Sequence, residues 1–205
     1  MKSSKPPIVY HPSYDIPLPE RHRFPGTKYS LLLQYLEDIG LIQNFLEYAP
    51  KPCTAENLSI AHKASYIGKI QTGHLSRENQ IQLGLPWSET LRQRSFISPN
   101  GTLLAAQLAL QTGIACHAAG GTHHAHWDFG AGFCVFNDLA YTARALIEMG
   151  SAKRVLILDC DVHQGDGTAS ILSNDSNILT CSIHCTENYP EKKAFSDLDF
   201  PISRG

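Results

Sequence analysis

The chain has 205 residues, 42% of them hydrophobic, enough for one domain with a sizeable apolar core and too apolar for intrinsic disorder. Its 17 Lys and Arg against 19 Asp and Glu give a formal charge of −2, which argues against a nucleic-acid-binding protein with its basic excess. No apolar run reaches the length of a membrane span, no apolar h-region follows Met1, and the six cysteines form no CxxC pair. The expectation is one domain over residues 1–205 in a reducing, cytoplasmic compartment, without a membrane partner.

Pro12, Pro17, Pro19, Pro25 and Gly26 punctuate the first fifty residues, which should be loop-rich. Tyr29, Leu32, Leu33, Leu36 and Ile39 recur at helical steps and predict a helix over Lys28–Ile39, stopped by Gly40. A second helical stretch runs from Thr54, a candidate N-cap, to Ser65, and a short helix fits Ser88–Ser95. The Ala- and Leu-rich segment Gly101–Gln111 reads as a strong helix ended by Gly113.

From there the pattern alternates. Ile114–His117 reads as a short strand, Asp138–Met149 as an amphipathic helix stopped by Gly150, and Arg154–Leu158 as a strand apolar enough for burial on both faces. Asp166–Leu172 forms a short helix and Asn177–Ile183 another strand. Strand–helix–strand–helix–strand predicts an α/β fold with a parallel sheet and helices on both faces. Ligands of such sheets sit at the C-terminal ends of the strands. That is where the chemistry-bearing residues of this chain gather: Gly120-Gly121-Thr122-His123-His124, then Asp159 to Gly167, then His184 to Pro190.

On extended chain, Asp159, Asp161 and His163 project to one side, and a converging carboxylate and imidazole make a half-site for Zn²⁺ or Fe²⁺. The bland alternative is a strand end with capping aspartates and a packed histidine. For His123 and His124 the alternatives are two exposed loop imidazoles, or a general base and acid held by buried carboxylates, with Asp159 and Asp166 as candidate partners. His126 fits no role and is read as solvent-facing or loop-packing. In Gly130–Asp138, Asn137 or Asp138 would N-cap the following helix, and spacing alone favours a core role for Phe133.

Gly120–His124, Gly132-Phe133-Cys134-Val135-Phe136-Asn137-Asp138 and Leu158–Thr168 together resemble the histone deacetylase family, particularly its bacterial members. Asn188-Tyr189-Pro190, Ser196–Asp199 and Pro19–Pro25 extend the resemblance over nearly the whole chain. It implies a metal-dependent amidohydrolase on the three-layer arginase/deacetylase α/β fold, removing acetyl groups from acetylated lysine or small acetylated amines. Asp161 and His163 match two ligands of a Zn²⁺ ion, with Fe²⁺ as the alternative. His123 and His124 match the catalytic histidines, and Asp159 and Asp166 their carboxylate partners. Phe133 and Tyr189 match the walls of the acyl-lysine tunnel, and the Gly132 carbonyl the group that receives the substrate amide N–H. A structural K⁺ site of the family corresponds to Asp159, Asp161, His163, Ser182 and Ile183.

The family's third metal ligand, an aspartate, and its carbonyl-polarising tyrosine lie downstream of the segment matching Ser196–Asp199. The expectation is therefore a chain without the family's C-terminal part, showing little or no turnover by itself. The alternative is an inactive paralogue or fragment acting at most as a binding module. Gly26 stands where the bacterial pattern usually has Met, and Tyr189 where it usually has Phe. Two other enzyme classes explain less: a phosphotransferase with Asp159 as nucleophile leaves His163 and the histidine pair unused, and ureohydrolases place their second Asp closer to the His.

Overall fold

The structure is a computed structural model and describes residues 5–204. Among the described residues six strands form two three-stranded ladders, and every strand pair between them is parallel. In the first ladder β1 (Pro7–Val9) lies between β2 (Leu46–Tyr48) and β3 (Cys116–His117). In the second, β5 (Ile178–Cys185) lies between β4 (Val155–Asp159) and β6 (Leu198–Ile202). β1 and β2 fall in the stretch expected to be loop. Three-residue strands carry no period of their own and are defined by their ladder partners.

The expected helices at the start of the chain and after the histidine pair are α1 (Lys28–Asp38) and α6 (Asp138–Glu148). The stretch from Thr54 to Ser65 divides into α2 (Ala55–Leu58) and the start of α3 (Ala64–Thr72), and α4 (Arg77–Leu83) follows. Ser88–Ser95 and Gly101–Gln111 are not separate elements. They belong to one 24-residue helix, α5 (Glu89–Thr112), which runs through Pro99. A proline removes one helical hydrogen bond, and a glycine two residues on weakens the segment further. Tertiary contacts outweigh both: the Phe96 carbonyl, in the disturbed turn, accepts the Cys53 backbone N–H at 2.7 Å and the Cys53 thiol at 2.8 Å. α7 (Asp166–Leu172) completes the set.

The main core joins α3, α5 and α6 through Ile67, Ile70, Leu91, Phe136 and Leu146, and reaches the second ladder at Ile157 and Ile178. That ladder is covered on one face only. Ile157 is buried, while Leu156 and Leu158 on the opposite face are 59% and 57% exposed, so burial of β4 on both faces is not what the described residues show. Among the described residues no helix is long and apolar enough to cross a membrane.

Gly26 is buried, and its carbonyl accepts the Ile16 N–H at 2.9 Å. A Cβ at this position would collide with the Ile16 carbonyl oxygen, so only glycine fits where the bacterial pattern usually has Met.

Candidate active site

β4 ends at Asp159, and the chain then bends through Asp161–His163 before α7 begins at Asp166. The bend replaces the extended geometry read from the sequence. Asp159 Oδ1 accepts the Asp161 N–H at 2.9 Å, and Asp161 Oδ1 accepts the His163 N–H at 2.8 Å. These two consecutive Asx turns, rather than strand alternation, bring the side chains together.

His123 Nδ1 lies 2.6 Å from Asp159 Oδ2, and His124 Nδ1 lies 2.6 Å from Asp166 Oδ1. Both rings are buried, with their centroids 4.1 Å apart. A carboxylate on Nδ1 leaves each Nε2 for whatever enters the site and fixes the orientation of the ring. His123 Nε2 lies 4.0 Å from Asp161 Oδ1.

The two pairs differ electrostatically. For His123, burial pushes the pKa down, but the hydrogen bond and charge of Asp159, with Asp161 and Asp166 behind it, prevail and raise it. For His124, burial again lowers the pKa, and here it wins over the Asp166 hydrogen bond, assisted by the neighbouring His123 and His163. Burial would raise the Asp166 carboxyl, yet hydrogen bonds from His124 and His126 hold it down at about 2. The surroundings thus favour the charged form of His123 and the neutral form of His124.

His126 is not a bystander. Its Nε2 lies 3.1 Å from Asp166 Oδ2, its ring stacks on Phe129 at 4.4 Å, and its N–H donates to the Phe129 carbonyl. Asp166 has two oxygens, and His124 uses only one. The interleaved spacing His124-Ala125-His126 was the available signal.

Asp161 Oδ1 and His163 Nδ1 lie 2.8 Å apart, and both residues line the cavity beside the histidine pair. This mixed oxygen and nitrogen donor set suits a borderline divalent ion, but among the described residues no group of three or more His, Cys, Asp or Glu side chains is placed to hold a metal ion. For the K⁺ set, the β4–β5 register places Asp159 opposite Ser182, with Ile183 next along β5. The Ser182 hydroxyl is buried and lies 3.0 Å from His184 Nδ1.

Gly132 has φ 54°, and a Cβ there would sit 2.6 Å from His124 Cδ2, so glycine lets the chain pass against the ring. Its carbonyl accepts a weak hydrogen bond from the Cys134 thiol at 3.5 Å. Phe133 also takes a left-handed conformation, φ 68°, unusual for an aromatic residue, and its N–H donates to the Leu83 carbonyl at 2.8 Å. The ring lines the cavity against Phe24 and His22 and at the same time packs on the edge of the main core. Tyr189 faces His124 edge-on at 4.8 Å from the other side. The cavity between them measures about 900 Å³.

The supporting shell was not legible. Asn137 does N-cap α6, accepting the Ala140 N–H at 2.9 Å, while its amide donates to the Ala125 carbonyl and to Thr168. Asp138, fully buried, accepts the N–H groups of Gly121 and Thr122 at 3.1 and 2.7 Å and the hydroxyls of Thr122 and Thr102. The Thr102 hydroxyl in turn meets His117, whose other nitrogen lies 2.7 Å from the Tyr14 hydroxyl. His62 accepts the Asn137 N–H at 2.8 Å and contacts the His126 carbonyl at 2.9 Å.

A family model described as "Histone deacetylase domain" matches residues 22–200. An uncharacterized protein of Picosynechococcus sp. is 46% identical over 199 residues, which are 97% of this chain and 66% of that protein. The acetoin utilization protein AcuC of Staphylococcus aureus is 30% identical over 180 residues, 83% of this chain and 46% of that protein. Histone deacetylase 2 of Arabidopsis thaliana is 28% identical over 196 residues, 91% and 51% of the two chains. The chain thus spans about two thirds of the first relative and about half of the other two. In fold, it is similar to the crystal structure of the HDA15 HD domain, with a TM-score of 0.77, 19% identity, and coverage of 93% of this chain and 56% of that one.

Proposed function

The chain belongs to the histone deacetylase domain family, and from that premise we propose that it is a single hydrolytic domain acting on acetylated lysine or other acetylated amines. The observation that carries this reading is the pair of 2.6 Å imidazole–carboxylate contacts opening, together with Asp161 and His163, onto one cavity.

In this reading the acyl chain lies between Phe133 and Tyr189, and the Gly132 carbonyl accepts the scissile amide N–H. Neutral His124 takes a proton from the attacking water on Nε2 and later returns it to the departing amine. His123, kept cationic by Asp159, stabilises the negative charge that develops on the acetyl oxygen. Asp166 keeps His124 in the tautomer that presents a bare Nε2. Asp161 and His163 would hold a divalent ion, Zn²⁺ or Fe²⁺, which supplies Lewis-acid activation of water and carbonyl. Asp159, Asp161, His163, Ser182 and Ile183 would hold a K⁺ ion, which would serve structure rather than chemistry.

Zinc binding is expected to be reversed by a chelator and lost in Asp161→Ala and His163→Ala, as read by calorimetric titration. Acetate release from an acetyl-lysine peptide is expected to rise with added zinc and to vanish in the same two variants. Zinc-independent release would contradict the proposal.

A further inference from the structure

The cavity is unbalanced in charge. Arg21, Arg23, Lys28 and Arg94 line it, while Asp161, already engaged by His163, is the one carboxylate among the lining residues. Among the described residues none of these four cations has an acidic group within 4.0 Å. Arg94 is 2% exposed, stacks over the Tyr29 ring and bonds its hydroxyl, and its Nε has no hydrogen-bond partner. Lys28 Nζ lies over the rings of Phe24 and Tyr29, at 4.8 and 5.2 Å. A concave wall with an excess of one sign concentrates ligands of the other.

The position of this charge decides what it acts on. Arg21 and Arg23 are exposed and flank His22, whose ring lies 5.9 Å from the Phe133 ring and whose Nε2 contacts the Gly84 carbonyl at 3.0 Å. Phe24, next in the same loop, lies 5.5 Å from Phe133. Arg21 and Arg23 thus belong to the loop that sets His22 and Phe24 against the aromatic wall, and both line the cavity there.

We propose that the Arg21–Arg23 rim selects acetylated amines carrying a carboxylate close to the acetylated side chain, such as acetyl-lysine flanked by acidic residues, and discriminates against polycations such as acetylated polyamines. This rests on the acetyl-amine reading of the cavity. Rim charges act through long-range attraction that salt screens, so the preference is modest and ionic-strength-dependent.

The test measures peptide binding by fluorescence anisotropy, which needs no turnover. Three probes of equal length are compared: acetyl-lysine flanked by Asp, acetyl-lysine flanked by Lys, and unacetylated lysine flanked by Asp, with acetylspermidine as competitor. The Asp-flanked acetylated peptide should bind about tenfold more tightly than the Lys-flanked one at low salt, with the ratio shrinking above about 0.15 M. Arg21→Gln/Arg23→Gln should bring the ratio towards one, and Arg21→Glu/Arg23→Glu should invert it. Acetylspermidine should compete poorly. A wild-type ratio at or below one, a ratio unmoved by either double variant, or no binding of any acetylated peptide would overturn the proposal. Acidic peptides that bind equally with and without the acetyl group would support the anionic preference and overturn the acetyl-amine reading.

Discussion

His124→Ala is expected to lower zinc-supported acetate release by about 10²–10⁴-fold, the range for loss of a positioned general base and acid. Position and protonation act together here. His124 has its Nδ1 on Asp166 at 2.6 Å, faces Tyr189 edge-on and abuts Gly132, so its Nε2 is the nitrogen left to face the substrate. Its lowered pKa keeps it neutral near pH 7, the form that accepts a proton. Activity carried by His124 should rise as pH climbs through its lowered pKa and fall as pH climbs through the raised pKa of His123, whose cationic form is needed. Substrate binding should change far less than the maximal rate, because the tunnel walls are untouched. Equal loss in kcat and in peptide affinity would mean that the ring packs the cavity rather than moving a proton.

Asp138→Ala should be the most destabilising single substitution near the site. It would leave the N–H groups of Gly121 and Thr122 and the hydroxyls of Thr102 and Thr122 without their shared, fully buried acceptor, at a half-buried loop. Each orphaned buried donor costs about 1–3 kcal/mol, so a total near 3 kcal/mol or more is expected, lowering Tm by about 6–12 °C. Asp138→Asn retains one acceptor oxygen and should lose less. Since the clamped loop leads into His123, the Asn variant should also slow acetate release while remaining folded. Thermal unfolding followed by circular dichroism separates the two effects; an Ala variant as stable as wild type would show that water replaces the carboxylate at no cost.

Much of this site was readable because its residues crowd the ends of strands with strong patterns. Val155–Asp159 and Ile178–Cys185 are apolar enough to be recognised alone, and the crevice rule then singles out Asp159, Asp161, His163 and Asp166. What could not be read depends on distant partners. β1 and β2 exist through their pairing with each other and with β3. The continuity of α5 through Pro99 has no local signal, and the Phe96 carbonyl in that turn accepts from Cys53, 43 residues before Phe96. Asp138 looks like a helix cap, and only the fold reveals that Asn137 caps while Asp138 grips the Gly-Gly-Thr turn. The convergence of Asp161 and His163 was expected for the wrong reason, since Asx turns rather than strand alternation produce it.

The surroundings push the two adjacent imidazoles towards opposite protonation states, and this can be tested without turnover. Nitrogen-15 chemical shifts of the imidazoles, followed across pH with His123→Gln and His124→Gln for assignment, read the charge and tautomer of each ring. At pH near 6.5 the account predicts a cationic His123 and a neutral His124 protonated on Nδ1, with His123 titrating above the ordinary histidine value and His124 below it. Two rings titrating together at the ordinary value, or in the reverse order, would contradict it.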